Sequence, residues 1–165
     1  MFYCAAKTGR RMVMQRRQSM ADLYDVMQAA MRGEPGEPPP IGKLLGMSMV
    51  AVSPGKSTME LAADERMANP MGTLHGGVLC DLADAAMGMA LATTLARGET
   101  FTTLELKINF LKPVWRTRLR AEGRVVKAGR TVSLIECDVF DEGGSLVARA
   151  TSTCLTLRGA AAQGR

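Results

Sequence analysis

A single histidine, His75, stands in the 165 residues, which excludes every zinc site built on two imidazoles. The four cysteines, Cys4, Cys80, Cys137 and Cys154, are scattered and form no C-x-x-C pair, so structural zinc is not expected either. Aromatic residues make up 4% of the chain and do not interleave with the basic ones. That removes the stacking platform of a single-strand nucleic-acid binder. No charge-free run of 18 apolar residues occurs, because Asp81 and Asp84 interrupt the best candidate, and no membrane span is expected. The opening MFYCAAKTGRRMVMQRRQSM is basic but lacks an uninterrupted apolar region with a small-residue cleavage site. It reads as a loose extension on a cytoplasmic protein.

What is present is ordinary globular composition, 47% hydrophobic and 22% charged, at a length suited to one domain. Much of the formal charge of +5 comes from Lys7, Arg10, Arg11, Arg16 and Arg17, which have no acid among them. A solvated tail accounts for such a run. Cys137 and Cys154 fall in strand-like runs and read as small buried hydrophobes. Cys80, five residues after His75, invites a thiol-nucleophile reading but has no evident orienting partner.

Residues 19–32 have Ser19 as an N-cap candidate and apolar residues at helical spacing, which predicts an amphipathic helix. GEPGEPPPIG, residues 33–42, ends it and forms a stiff connector. This division sets an extension, 1–41, before a domain at 42–158 and a flexible tail at 159–165. Leu44 to Val52 and Lys56 to Ala63 predict a hairpin about a Ser53-Pro54-Gly55 turn. Further strands are expected at Phe101–Leu111, Arg116–Lys127, Thr131–Asp141 and Ser145–Leu157, with Pro113 breaking the first pair. Strands joined by turns without intervening helices predict an antiparallel meander.

The stretch between, NPMGTLHGGVLCDLADAAMGMALATTLA from Asn69 to Ala96, predicts a long helix from Gly77 to about Ala96. Leu79, Leu82, Ala83, Ala86, Met87 and Ala90 form one apolar stripe for the sheet. Asp81, Asp84, Ala85, Gly88 and Ala92 form a second, small-residue face suited to a second subunit. A buried carboxylate on an apolar helix costs several kcal/mol without a partner. Asp81, expected in the first turn, is explained by the helix dipole. Asp84 is the one that needs a chemical reason.

Asn69, His75-Gly76-Gly77, Asp84 nine residues after the histidine, and the run LELKINFLKPV together resemble the hotdog-fold acyl-CoA thioesterases of the phenylacetate-degradation and 4-hydroxybenzoyl-CoA thioesterase group. The resemblance implies an α+β hotdog fold, in which a curved antiparallel sheet wraps the long helix. It also implies dimers or dimers of dimers with the site at the subunit interface. Coenzyme A would be part of the substrate, with no metal or separate cofactor.

On that basis Asp84 is the candidate general base or nucleophile and the Gly76 backbone N–H the oxyanion donor, since a helix start presents unpaired N–H groups. Asn69 would position the water or carbonyl, or serve only as a turn residue. His75 would either hold the loop or stand near the leaving sulfur. A hydroxyl near the start of a partner's strand implies Thr102, with Thr103 beside it and Gly77 next to the donor as substrate contacts. Lys112, Arg116, Lys127 and Arg130 are the candidates for the phosphates of coenzyme A. A hotdog hydratase lacks its expected Asp-His arrangement here, and a non-catalytic acyl-CoA-binding protein is the other alternative.

Overall fold

The computed structural model describes residues 22–163; Ser19 and the basic N-terminal run lie outside them. The first helix, α1, spans Leu23–Met31, with Asp22 accepting from the Tyr24 N–H at 3.0 Å as its cap. Met27 is its one fully buried side chain. The connector does not run straight into a strand as expected. Pro40–Leu45 form a short helix, α2, which ends at Gly46 in the left-handed region (φ 71°). Proline is pre-organised for the first helical turn and glycine for the position after the last, so PPIGKLLG closes a helix that the apolar Leu44-Leu45 pair concealed.

Six strands follow: β1 (Ser48–Ser53), β2 (Lys56–Ala63), β3 (Thr100–Phe110), β4 (Thr117–Lys127), β5 (Val132–Asp141) and β6 (Leu146–Leu157). The hairpin turn between β1 and β2 carries Gly55 at φ 73°. All pairings are antiparallel, in the order β1-β2-β4-β5-β6-β3. The meander expectation holds for β4-β5-β6 and fails for β3, which lies at the far edge against β6. Residues 111–116 carry the chain across instead of turning back. There Leu111 donates to Val147 O and Val114 O accepts from Leu74 N, tying the crossover to β6 and to the loop before the long helix.

That helix, α3, spans Gly76–Ala92 and lies in the curve of the sheet. Leu79, Leu82, Ala83, Ala86, Met87 and Ala90 are buried as the periodicity required. They pack with Leu61, Leu119, Ile135, Val139 and Val147 in one core. Full burial of each large side chain contributes about 1.5–3 kcal/mol. The closest approach is at the helix middle, where the Ser57 hydroxyl donates to Ala86 O at 2.6 Å. Gly123 of β4 lies so near that a Cβ there would stand 2.5 Å from the same oxygen. The helix ends four residues short of Ala96. Thr93 and Thr94 turn their hydroxyls onto Ala90 O and Leu91 O, and Thr93 Oγ1 also accepts from Gly55 N–H at 2.7 Å. Threonines that bond their own backbone favour helix ends over interiors.

Candidate active site

The loop entering α3 is built around Asn69. Its Oδ1 accepts from Met71 N–H at 2.9 Å and from Thr73 N–H at 3.2 Å, and its Nδ2 donates to Thr73 Oγ1 at 2.8 Å. Asparagine side chains mimic a backbone turn in this way. Asn69 therefore shapes the approach to the helix.

His75 is the N-cap. Its Nδ1 accepts from Gly77 N–H at 2.9 Å, which places the ring proton of the neutral imidazole on Nε2. The Val78 N–H is bound to His75 O at 3.0 Å. Of the first three N–H groups of α3, only that of Gly76 has no hydrogen-bond partner among the described residues. The Phe110 ring lies across Gly76: a Cβ there would stand 2.9 Å from Phe110 Cζ. Phe110 itself is 54% exposed.

Asp84 lies two turns further along α3 and is half-buried. Asp81 falls in the second turn, beyond the first-turn dipole position expected of it, and is exposed. Water is enough to account for its charge. The second face of α3 is also less open than its small residues suggested, because the Phe101 ring covers Gly88, with Cζ 3.0 Å from where a Cβ would be.

The hydroxyl on Asp84 is that of Thr103, whose Oγ1 donates to Oδ1 at 3.1 Å within the same chain. Thr102, one residue earlier, pairs with Leu155 and points to the opposite side of β3. A bulge at Leu104 follows: Thr103 pairs with Cys154 but Glu105 with Thr153. Behind Thr103, Cys154 Sγ lies 3.9 Å from its hydroxyl and 3.6 Å from Ser152 Oγ, and Ser152 donates to Glu105 O at 2.9 Å. Strand alternation in TSTCLT puts Ser152 and Cys154 on one face, but nothing local to that run joins them to Thr103.

The setting of Cys80 disfavours a nucleophile. Burial first, then the neighbouring carboxylates of Asp81 and Asp84, raise its thiol pKa above the ordinary value. The reactive species of cysteine is the thiolate, and this position suppresses it.

The four basic candidates divide. Lys112 and Arg116 flank Val114, beside the N-terminal end of α3. Lys112 is bound to Asp141 at 2.6 Å and to Ser145 at 3.0 Å, whereas Arg116 has only a 3.9 Å contact with Glu65. Lys127 and Arg130 are exposed on the β4–β5 turn, at the end where Val125 and Thr93 meet Gly55. One chain does not bring these pairs together. Two surface concavities, of about 460 and 180 Å³, share Asp64 and Arg116. The smaller one includes Leu74 and Trp115, next to the entry loop. Neither contains Asp84. Among the described residues no three His, Cys, Asp or Glu side chains converge as metal ligands, and no helix is long and apolar enough to cross a membrane.

Known proteins resemble this chain in sequence and fold. A family model of the thioesterase superfamily matches residues 71–148. Human acyl-coenzyme A thioesterase 13 is 30% identical over 114 residues, which cover 67% of this chain and 81% of that protein. The 1,4-dihydroxy-2-naphthoyl-CoA hydrolase of Listeria monocytogenes is 28% identical over 103 residues, 62% of this chain and 84% of that one. The crystal structure of a phenylacetic acid degradation-related protein from Ralstonia eutropha superimposes with a TM-score of 0.71 at 31% identity, covering 78% of this chain and 98% of that one. With the helix-in-sheet architecture and the His-Gly-Gly helix start in place, these matches show that the chain belongs to the thioesterase superfamily, whose fold is the hotdog and whose chemistry is thioester hydrolysis.

Proposed function

We propose that the protein hydrolyses an acyl-CoA thioester to the free acid and coenzyme A, with Asp84 as general base and the Gly76 N–H as oxyanion donor. The single observation that carries this is the Gly76 N–H, left without a partner at the start of a buried helix while His75 occupies its two successors. Such a group, at the positive end of the helix dipole, is suited to a carbonyl oxygen gaining charge. Asp84 removes a proton from water as the water oxygen attacks the thioester carbon. The carbonyl oxygen takes the negative charge against Gly76, the C–S bond then breaks, and the thiolate leaves and is protonated. Aspartate is shorter than glutamate, which favours the water route over direct attack by the carboxylate.

Eight residues separate Gly76 from Asp84 on one helix, about 12 Å along its axis. A single thioester cannot touch both. The functional unit is therefore a dimer in which Gly76 of one copy faces Asp84 of the other. The edge position of β3 supports this, since an 11-residue edge strand leaves a row of unpaired backbone groups. Relatives named for coenzyme A esters support the substrate class.

Release of free thiol from a panel of acyl-CoAs tests the activity. Asp84→Asn should fold and lose at least about a hundredfold in kcat, the scale of a general base. Turnover at the wild-type rate in that variant would refute the assignment.

A further inference from the structure

We propose that Cys154 and Ser152 are positioning residues for Asp84, acting through Thr103; this rests on the reading of Asp84 as the base. The protons along the chain can be assigned one by one. The Glu105 carbonyl can only accept, so the Ser152 hydroxyl, 2.9 Å away, commits its one proton there. An ionised Asp84 can only accept, so the Thr103 hydroxyl, at 3.1 Å, commits its proton to the carboxylate. Both hydroxyl oxygens then keep lone pairs and no proton to share. Cys154 lies between them, 3.9 Å from Thr103 Oγ1 and 3.6 Å from Ser152 Oγ. Among the described residues its S–H is the one donor that can serve either.

When Asp84 is charged, the thiol proton points at Thr103 and favours that hydroxyl's donation to the carboxylate. Once Asp84 has taken a proton from water it can donate in turn. Thr103 then swings its proton to Cys154 Sγ, and the thiol turns to Ser152. The chain accommodates both protonation states of the base by rotating hydrogens, with every heavy atom in place and no proton gained or lost by Thr103, Cys154 or Ser152. Cys154 and Ser152 are almost fully excluded from solvent, at 1% and 0% exposure, so water does not compete for these partners.

The backbone serves the same end. The bulge at Leu104 shifts the register of β3 against β6 directly after Thr103, and bulges re-aim side chains. Ser152 holds the carbonyl of Glu105 just past it. Without that bond the irregular stretch loses a clamp, and Thr103 loses the fixed pose from which it reaches Asp84.

The test measures kcat and KM separately, on variants whose unfolding transition shows them folded. Cys154→Ala should lower kcat about three- to tenfold, the worth of one neutral hydrogen bond, and leave KM within about twofold. Cys154→Ser, which can donate and accept as the thiol does, should recover most of kcat. In a Thr103→Val background the Cys154→Ala change should cost nothing further, because its effect passes through a hydroxyl already gone. Should Cys154→Ala not fold, Cys154→Val takes its place in the cycle. Wild-type kcat in the Cys154 variant, or the same fractional loss with Thr103→Val present, overturns the proposal. An inactive Asp84→Asn beside a fully active Cys154→Ala sinks this inference alone, whereas an active Asp84→Asn removes the assignment of Asp84 as well.

Discussion

His75 accepts the Gly77 N–H and so decides which N–H of the helix start is left free. Capping side chains are worth about 1 kcal/mol. His75→Ala should lower stability by that amount in urea unfolding, and His75→Asn, whose side-chain oxygen also caps, should recover most of it. If capping is the whole contribution, kcat recovers with stability in the asparagine variant. A variant that regains stability and stays slow would place the imidazole beside the leaving sulfur instead. At this scale the sequence was most legible where chemistry is local. His75, Gly76 and Asp84 sit on one short stretch, and the resemblance of that stretch to a known family nominates them. Thr103 was read only as a substrate contact, and Cys154 and Ser152 were hidden, because their meeting depends on the pairing of two strands remote in sequence and on one extra residue at Leu104. Neighbouring strand residues point to opposite faces, which is why the hydroxyl on Asp84 within the chain belongs to Thr103 and not Thr102.

Among the elements, α3 and β4 are in the tightest contact. A Cβ at Gly123 would stand 2.5 Å from Ala86 O and 2.6 Å from Ala86 C, both backbone atoms of the helix. Gly123→Ala must displace α3 and should destabilise by about 1–3 kcal/mol, the usual cost of overpacking. At Gly88 the obstacle is only the tip of the Phe101 ring, at 3.0 Å, and Gly88→Ala should cost less. Urea unfolding of the two variants checks the order, and equal losses would mean that the helix yields as readily as a side chain. Strand positions were legible because Gly55, Pro113 and the Gly143-Gly144 pair punctuate them. Strand partners were not. Alternation tells which face of β3 is buried but carries no information about whether β4 or β6 lies alongside. The short helix α2 was missed because two leucines in a row suit strand and helix alike, and only the flanking prolines and Gly46 decide between them.

Across the whole molecule, the separation of Gly76 from Asp84 along one helix predicts how two defective chains behave together. Asp84→Asn and Gly76→Val chains should each be inactive alone. In a mixture re-equilibrated through unfolding, half the dimers pair unlike chains, and each such dimer holds one site with both groups intact. An isologous two-fold assembly therefore returns about a quarter of the wild-type rate. No recovery would place both groups of a site on one chain and refute the two-chain reading.

The crossover that sets β3 at the edge also governs the order in which the molecule is made. Thr103 is followed by its neighbour Cys154 only 51 residues later, and β6, which supplies that neighbour, is the last strand of the sheet. At a synthesis rate of about 5–20 residues per second, β3 waits roughly 3–10 s for its partner. During that interval it is an unpaired strand carrying Leu104 and Phe110, the kind of edge that pairs with whatever it meets. A nascent chain therefore holds α3, its carboxylate and the Thr103 hydroxyl well before it holds the Cys154 thiol that lies behind them. The side chains behind Thr103 arrive only with the final strand, and a chain cut before β6 should leave a sticky edge.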